Sequence, residues 1–219
     1  KVALFCQWAE TLNATVARRL RLDLACADYS TTRRIVTLPG AALDVALLDA
    51  ARLLHTHTIG ALAAQLHNQA TSWRLPEGFT RHAWDTRGLV GPEPFWGPFW
   101  ELAALSEQQR RLLVAARDRV YVDMEAYAAH PENADRYSLI HADFVSENLM
   151  VDGDTVRLID FDDAGFGWHL FELATALYFE TEAPYYPQAY SSLVAGYREH
   201  RALPDAQLDY LPLFMLARS

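Results

Sequence analysis

Between residues 137 and 163 the chain sets out a strand, a polar loop, a tight hairpin and a carboxylate-rich stop, and few folds accommodate that order. The run His141-Ala-Asp143-Phe-Val-Ser-Glu-Asn148 follows a short β-like segment, Tyr137 to His141. Asn148 to Val151 and Thr155 to Phe161 are apolar runs joined through Asp152-Gly153, whose residues tolerate positive φ and so signal a tight hairpin. Asp160 therefore falls at a strand end, with Asp162 and Asp163 just beyond it. Two carboxylates, Asp143 and Asp160, and the amide oxygen of Asn148 gather around one hairpin. All three are hard oxygen donors.

The rest of the pattern is mostly helical. Ile59, Leu62, Ala63 and Leu66 form a buried stripe at i, i+3, i+4 and i+7 from Thr58 onward. Trp73 to Trp100 reads as a loop rich in proline and aromatics, including Phe95, Trp96, Phe99 and Trp100, whose faces suit lid packing or, as the lesser reading, an ammonium group. Ser106-Glu-Gln-Gln109 is a capping box opening a long helix to about Ala128, which Pro131 closes. Helical patterns follow over His169 to Glu180, Pro187 to Arg201 and Asp205 to Ala217. The fold class expected is α+β, mainly helical with a small β-hairpin.

Composition narrows the partners. With 51% apolar residues the chain can bury a sizeable core, and no run is long enough to span a membrane. The apolar run after Lys1 breaks at Gln7 and Glu10, too short for a secretion signal. A net charge of -9 repels a nucleic-acid backbone and suits a cationic or metal-chelated small molecule, whereas oligomeric state is not legible. Cys6 and Cys26 supply neither a zinc cage nor a disulfide framework, which fits a reducing cytoplasm. Lysine occurs once, at Lys1, and the other 18 basic residues are arginine. The absence of an initiator Met, and an ending inside a helix-like pattern, suggest a piece of a longer protein.

Magnesium takes oxygen ligands and is held by one or two protein groups plus substrate phosphates, a role Asn148 and Asp160 suit. Asp143 can orient a hydroxyl and accept its proton during phosphoryl transfer. The spacing H-x-D-x-x-x-x-N, with an aspartate after a hairpin, is that of the protein-kinase catalytic loop and its metal aspartate. Together with Ile159-Asp160-Phe161-Asp162-Asp163-Ala-Gly-Phe-Gly and Phe171-Glu172-Leu173-Ala174, it resembles the aminoglycoside phosphotransferase and choline kinase-like family of small-molecule kinases, most of all its homoserine kinase type II and hydroxylysine kinase-like members.

That resemblance implies a protein kinase-like fold, with residues 58–219 as a C-terminal lobe incomplete at its end. Residues 1–10 would be a hinge-like strand closing an N-terminal lobe largely absent from the chain, and 11–57 an uncertain connecting or inserted segment. It implies Asp143 as base, His141 bracing the loop, Asn148 and Asp160 on magnesium, Asp162 on a metal water or second metal, and Gln7 and Trp8 contacting ATP. The chain departs from the family pattern at Ala142, where glycine is usual, at Glu172, where aspartate is usual, and in lacking Pro-Gly between Asp143 and Asn148. Glu172, Glu180 and Glu182 are also candidates to balance a substrate amine, while His55, His57 and His67 read as structural.

The function expected is ATP- and magnesium-dependent phosphorylation of a hydroxyl on a small, amine-bearing metabolite such as an amino alcohol, homoserine or a hydroxy amino acid. An antibiotic acceptor of aminoglycoside type is one alternative, and a kinase-like nucleotide-binding or regulatory module without catalysis is another. Asp160-Phe-Asp162 also resembles the D-x-D of haloacid dehalogenase-like phosphatases, but Ala164 stands where that family wants Thr or Val, and no downstream lysine exists.

Overall fold

A computed structural model describes residues 45–152 and 155–219. Gln7 and Trp8, the two cysteines, Lys1 and the hinge expected over 1–10 lie outside these residues. The first described element, helix α1 (Val45–Ser72), is 28 residues long and crosses the 57/58 boundary drawn from the sequence. Its first half is rich in Ala and Leu, strong helix formers, but its periodicity is weak, so the sequence pattern did not single it out.

From Ile59 to Ala70 helix α1 is buried on several sides, and small residues admit its neighbours. A Cβ on Gly60 would lie 2.0 Å from the Leu193 carbonyl oxygen, and one on Gly196 would lie 2.0 Å from that of His57. These are backbone-to-backbone contacts between α1 and α5 (Tyr186–Arg198), and glycine on both helices permits them. Within the stretch labelled a loop by its prolines, short elements form: β1 (Ala83–Trp84), α2 (Thr86–Val90), capped by Asp85 on Gly88 N–H, and a 3-10 turn at Phe99–Glu101. Helix α3 (Glu107–Ala129) begins with the expected capping box, Ser106 N–H donating to Gln109 Oε1 at 2.9 Å and Gln109 N–H to Ser106 Oγ at 3.3 Å.

Strand β2 (Tyr137–Ile140) follows, then the hairpin β3 (Leu149–Asp152) and β4 (Thr155–Leu158), with Leu149 opposite Leu158 and Asp152 opposite Thr155. Strand β5 (Gly165–Trp168) lies between β1, parallel to it, and β2, antiparallel. Helices α4 (His169–Tyr178), α5, α6 (Asp205–Leu208) and α7 (Leu211–Arg218) complete the described chain. The single helical pattern read over Asp205 to Ala217 divides because Pro212 has no N–H to donate and suits a first turn. A closed ring of hydrogen bonds ties α3 to α6: Tyr127 O–H to Gln207, Gln207 to Asn133, and Asn133 back to the Tyr127 carbonyl.

The core holds Met124, Leu139, Ile140, Phe144, Phe171, Leu173 and Phe214, but a polar seam runs through it. Burial pushes the Tyr197 phenol far above its ordinary range, so its O–H stays protonated and donates to His67 Nδ1 at 2.9 Å. His67 stacks on His169 with centroids 3.9 Å apart and planes 8° from parallel, and His169 Nε2 meets the Ser138 hydroxyl at 2.9 Å. Burial lowers both imidazoles below 6.5, His169 well below, with His67 partly held up by Glu172.

Two outcomes follow from this packing. Gly196→Ala should destabilise by ~3 kcal/mol, because the added methyl must push two backbones apart, and a urea midpoint equal to wild type would contradict the contact. A depressed histidine favours folding above the unfolded value and loses that advantage as pH falls, since only the unfolded chain then takes the proton. Stability should therefore fall as pH is lowered from 7.5 to 5.5, read by urea titration at each pH, and a His67→Gln variant should show a shallower fall.

Candidate functional site

The polar loop between β2 and β3 is hung from one buried carboxylate. Glu172, fully buried on α4, accepts His141 N–H at 2.8 Å on Oε1 and Ala142 N–H at 2.7 Å on Oε2. It does not face outward to a substrate amine, one of the roles considered for it. Its place among Leu170, Phe171, Leu173 and Ala174, all core residues, was the available signal that a carboxylate here must have an internal partner.

His141, also fully buried, braces the loop from the other side. Asp143 N–H donates to its Nδ1 at 3.3 Å, so the proton assigned to the ring sits on Nε2, which donates to the Ile159 carbonyl at 2.9 Å. Phe144 and Phe161 pack edge-on against the ring. The residues after His141 and Ile159, Ala142 and Asp160, have φ of 65° and 63°, the positive-φ non-glycine residues among those described. The backbone thus turns sharply at both ends of the His141 bridge, at sites where L residues are strained.

These turns bring three of the expected residues together. Asn148 Nδ2 donates to both the Asp143 carbonyl, at 2.9 Å, and Asp143 Oδ2, at 2.7 Å. With the amide nitrogen committed, Asn148 Oδ1 makes no hydrogen bond among the described residues, and neither does Asp143 Oδ1. Ile159 N–H donates to the Asn148 carbonyl at 2.9 Å, extending the hairpin ladder by one rung and placing Asp160 next to Asn148. An unpartnered amide oxygen beside a half-buried carboxylate is a donor pair that suits a hard divalent cation, with water and phosphate oxygens filling the other positions. Among the described residues no three His, Cys, Asp or Glu side chains form a metal cage by themselves.

Asp162 and Asp163 are exposed, and their carbonyls accept hydrogen bonds from the stretch Arg81 to Trp84. Sequence reasoning gave Arg81 no role, because its partners lie some eighty residues away and leave no local pattern. The aromatic group is occupied within the chain: Trp96 packs on Trp84 beneath Arg218, and Trp100 lies beneath Arg117. His57 pairs with Glu199 at 3.2 Å.

Comparison with known proteins gives this arrangement a context. The chain is 38% identical to a microcompartment-associated aminopropanol kinase of known structure, with a TM-score of 0.67 over 76% of this chain and 51% of that one. It is 24% identical over 177 residues to amicoumacin kinase of Bacillus subtilis (strain 168), covering 74% of this chain and 47% of that protein. A choline/ethanolamine kinase family protein from Mesorhizobium loti shares the fold, with a TM-score of 0.55, 18% identity, and coverage of 94% and 64%. The chain spans about half the length of the curated relatives it matches. The fold is protein kinase-like. Residues 3–204 match the sequence model of the phosphotransferase enzyme family, and the chain, with its Asp143, Asn148 and Asp160 loop, belongs to that family.

Proposed function

We propose that this chain carries the acceptor and cation side of an ATP- and magnesium-dependent kinase that phosphorylates a hydroxyl of a small, amine-bearing metabolite, an amino alcohol in the first instance. The observation that carries the reading is the division of labour between Asn148 and Asp143. One bond, from Asn148 Nδ2 to Asp143 Oδ2, orients both side chains and leaves one oxygen of each to do chemistry. The likeness to an aminopropanol kinase at 38% identity supports the amino alcohol over a larger acceptor.

In this reading Asp143 Oδ1 accepts the hydrogen bond of the acceptor hydroxyl, aligns its oxygen on the terminal phosphorus of ATP, and takes the proton as the new P–O bond forms and the bond from that phosphorus to the bridging oxygen breaks, releasing ADP. His141 and Glu172 hold the loop main chain so that the carboxylate needs no reorganisation at that moment. Asn148 Oδ1 and Asp160 would hold the magnesium ion, whose contribution when bound is to neutralise charge on the phosphate oxygens. Asp162, exposed one residue beyond Phe161, would accept from a cation-bound water. Gln7 and Trp8 complete the proposal as adenine contacts. A cationic acceptor suits a protein of net charge -9.

The test is a phosphotransfer assay on the full-length protein with amino alcohols, hydroxy amino acids and aminoglycosides side by side. Asp143→Asn should lower kcat by about 10²- to 10⁴-fold with little change in KM for ATP, the range general-base removal produces. Asn148→Ala should instead raise the magnesium concentration needed for half-maximal rate. Undiminished turnover in Asp143→Asn would remove the base assignment.

A further inference from the structure

Three consecutive carbonyls just past Asp160 are gripped from one distant stretch of chain. Arg81 donates from Nε to the Ala164 carbonyl and from Nη2 to that of Asp162. The Asp163 carbonyl between them accepts from Trp84 Nε1 at 2.7 Å and meets His82 Nε2 at 2.9 Å. The main chain reinforces the grip, because Phe166 N–H donates to the His82 carbonyl at 2.9 Å where β5 begins. Nothing about the carboxylates of Asp162 and Asp163 requires this, for the donors take their backbone.

The gripping stretch is itself rigid. Trp84, 2% exposed, lies nearly parallel to Phe171 at 5.9 Å and is flanked by Phe95, Trp96 and His82. Phe171 precedes Glu172, so the indole that holds the segment after Asp160 rests on the helix that suspends His141 and Ala142. A guanidinium is suited to the outer two carbonyls because its planar fork presents donors in fixed directions, which an ammonium cannot do. The positive φ of Asp160 makes its direction depend on what anchors the chain on either side. The hairpin anchors one side; the Arg81 stretch anchors the other.

We infer that Arg81 is a positioning residue, which by clamping the Asp162–Ala164 main chain sets the direction in which Asp160 and Asp162 face a divalent cation and its nucleotide. This rests on the reading of Asp160 as a cation ligand. It ties the loop carrying the aromatic group to the cation side of the site, so that a disturbance of one reaches the other through backbone.

The experiment compares the full-length protein with Arg81→Ala and Arg81→Lys, reading Mn2+ affinity in the presence of ADP by electron paramagnetic resonance, amide hydrogen exchange over 160–168, and melting temperature. Arg81→Ala should weaken Mn2+·ADP binding about tenfold and speed exchange in that segment, with Arg81→Lys recovering part of both. A purely structural role would instead lower the melting temperature without a split between the two variants in Mn2+ affinity. Arg81→Lys carries the comparison if Arg81→Ala folds poorly, and Mn2+ affinity and exchange in it equal to wild type would then overturn the clamp. If wild type binds Mn2+·ADP and Arg81→Ala binds it equally, the clamp falls and the kinase reading stands. If wild type binds none, the cation reading falls and takes the clamp with it.

Discussion

The carboxylate of Glu172 is the interaction on which the site depends. It closes on two adjacent main-chain N–H groups, those of His141 and Ala142, in a fully buried place. Charge-assisted bonds of this kind are stronger than neutral ones, and losing the acceptor would leave two buried donors unsatisfied at about 1–3 kcal/mol each. The remaining geometry is downstream of it. His141, once held by its N–H, can reach Ile159; Ile159 can then pair with Asn148; and Asn148 can turn its nitrogen to Asp143 and its oxygen away.

Glu172 is in turn set by the helices behind it. His67 Nε2 stands 3.8 Å from Oε1, too far for a hydrogen bond and near enough to feel the charge, and its other nitrogen is held by Tyr197. A line of polar groups therefore crosses the core from α5 through α1 to α4 and ends at the loop. Apolar packing would give such a core more stability per residue. A polar line gives direction instead, because each member has few orientations that satisfy its neighbours. The close approach of α1 and α5 at Gly60 and Gly196 keeps that line short enough to connect.

Local pattern made much of this legible. The capping box at Ser106, the hairpin between β3 and β4, the helix at His169 and the grouping of Asp143, Asn148 and Asp160 all rest on residues close in sequence, where spacing maps directly onto geometry. The first half of α1 was not legible, because its apolar periodicity is weak and Ala and Leu in that order suit a helix without marking which face it buries. Glu172 and Arg81 were not legible either, for another reason. Both act on backbone N–H or carbonyl groups of distant residues, and backbone carries no side-chain identity from which a pairing can be read. Gly196 belongs to the same class, since its partner is a carbonyl of His57.

Ala142 shows what such a backbone demand does over time. Its φ of 65° excludes β-branched and bulky side chains by handedness, and its 3% exposure excludes large ones by space. Glycine suits the angle, but it gives up a buried methyl and the chain stiffness that alanine provides, so the two residues come close to balance. The position can drift between them under natural variation and go almost nowhere else. Its neighbour Glu147, exposed on the same loop, is under no such filter. Variation across this loop is thus sorted by the handedness of the main chain as much as by the chemistry the loop performs.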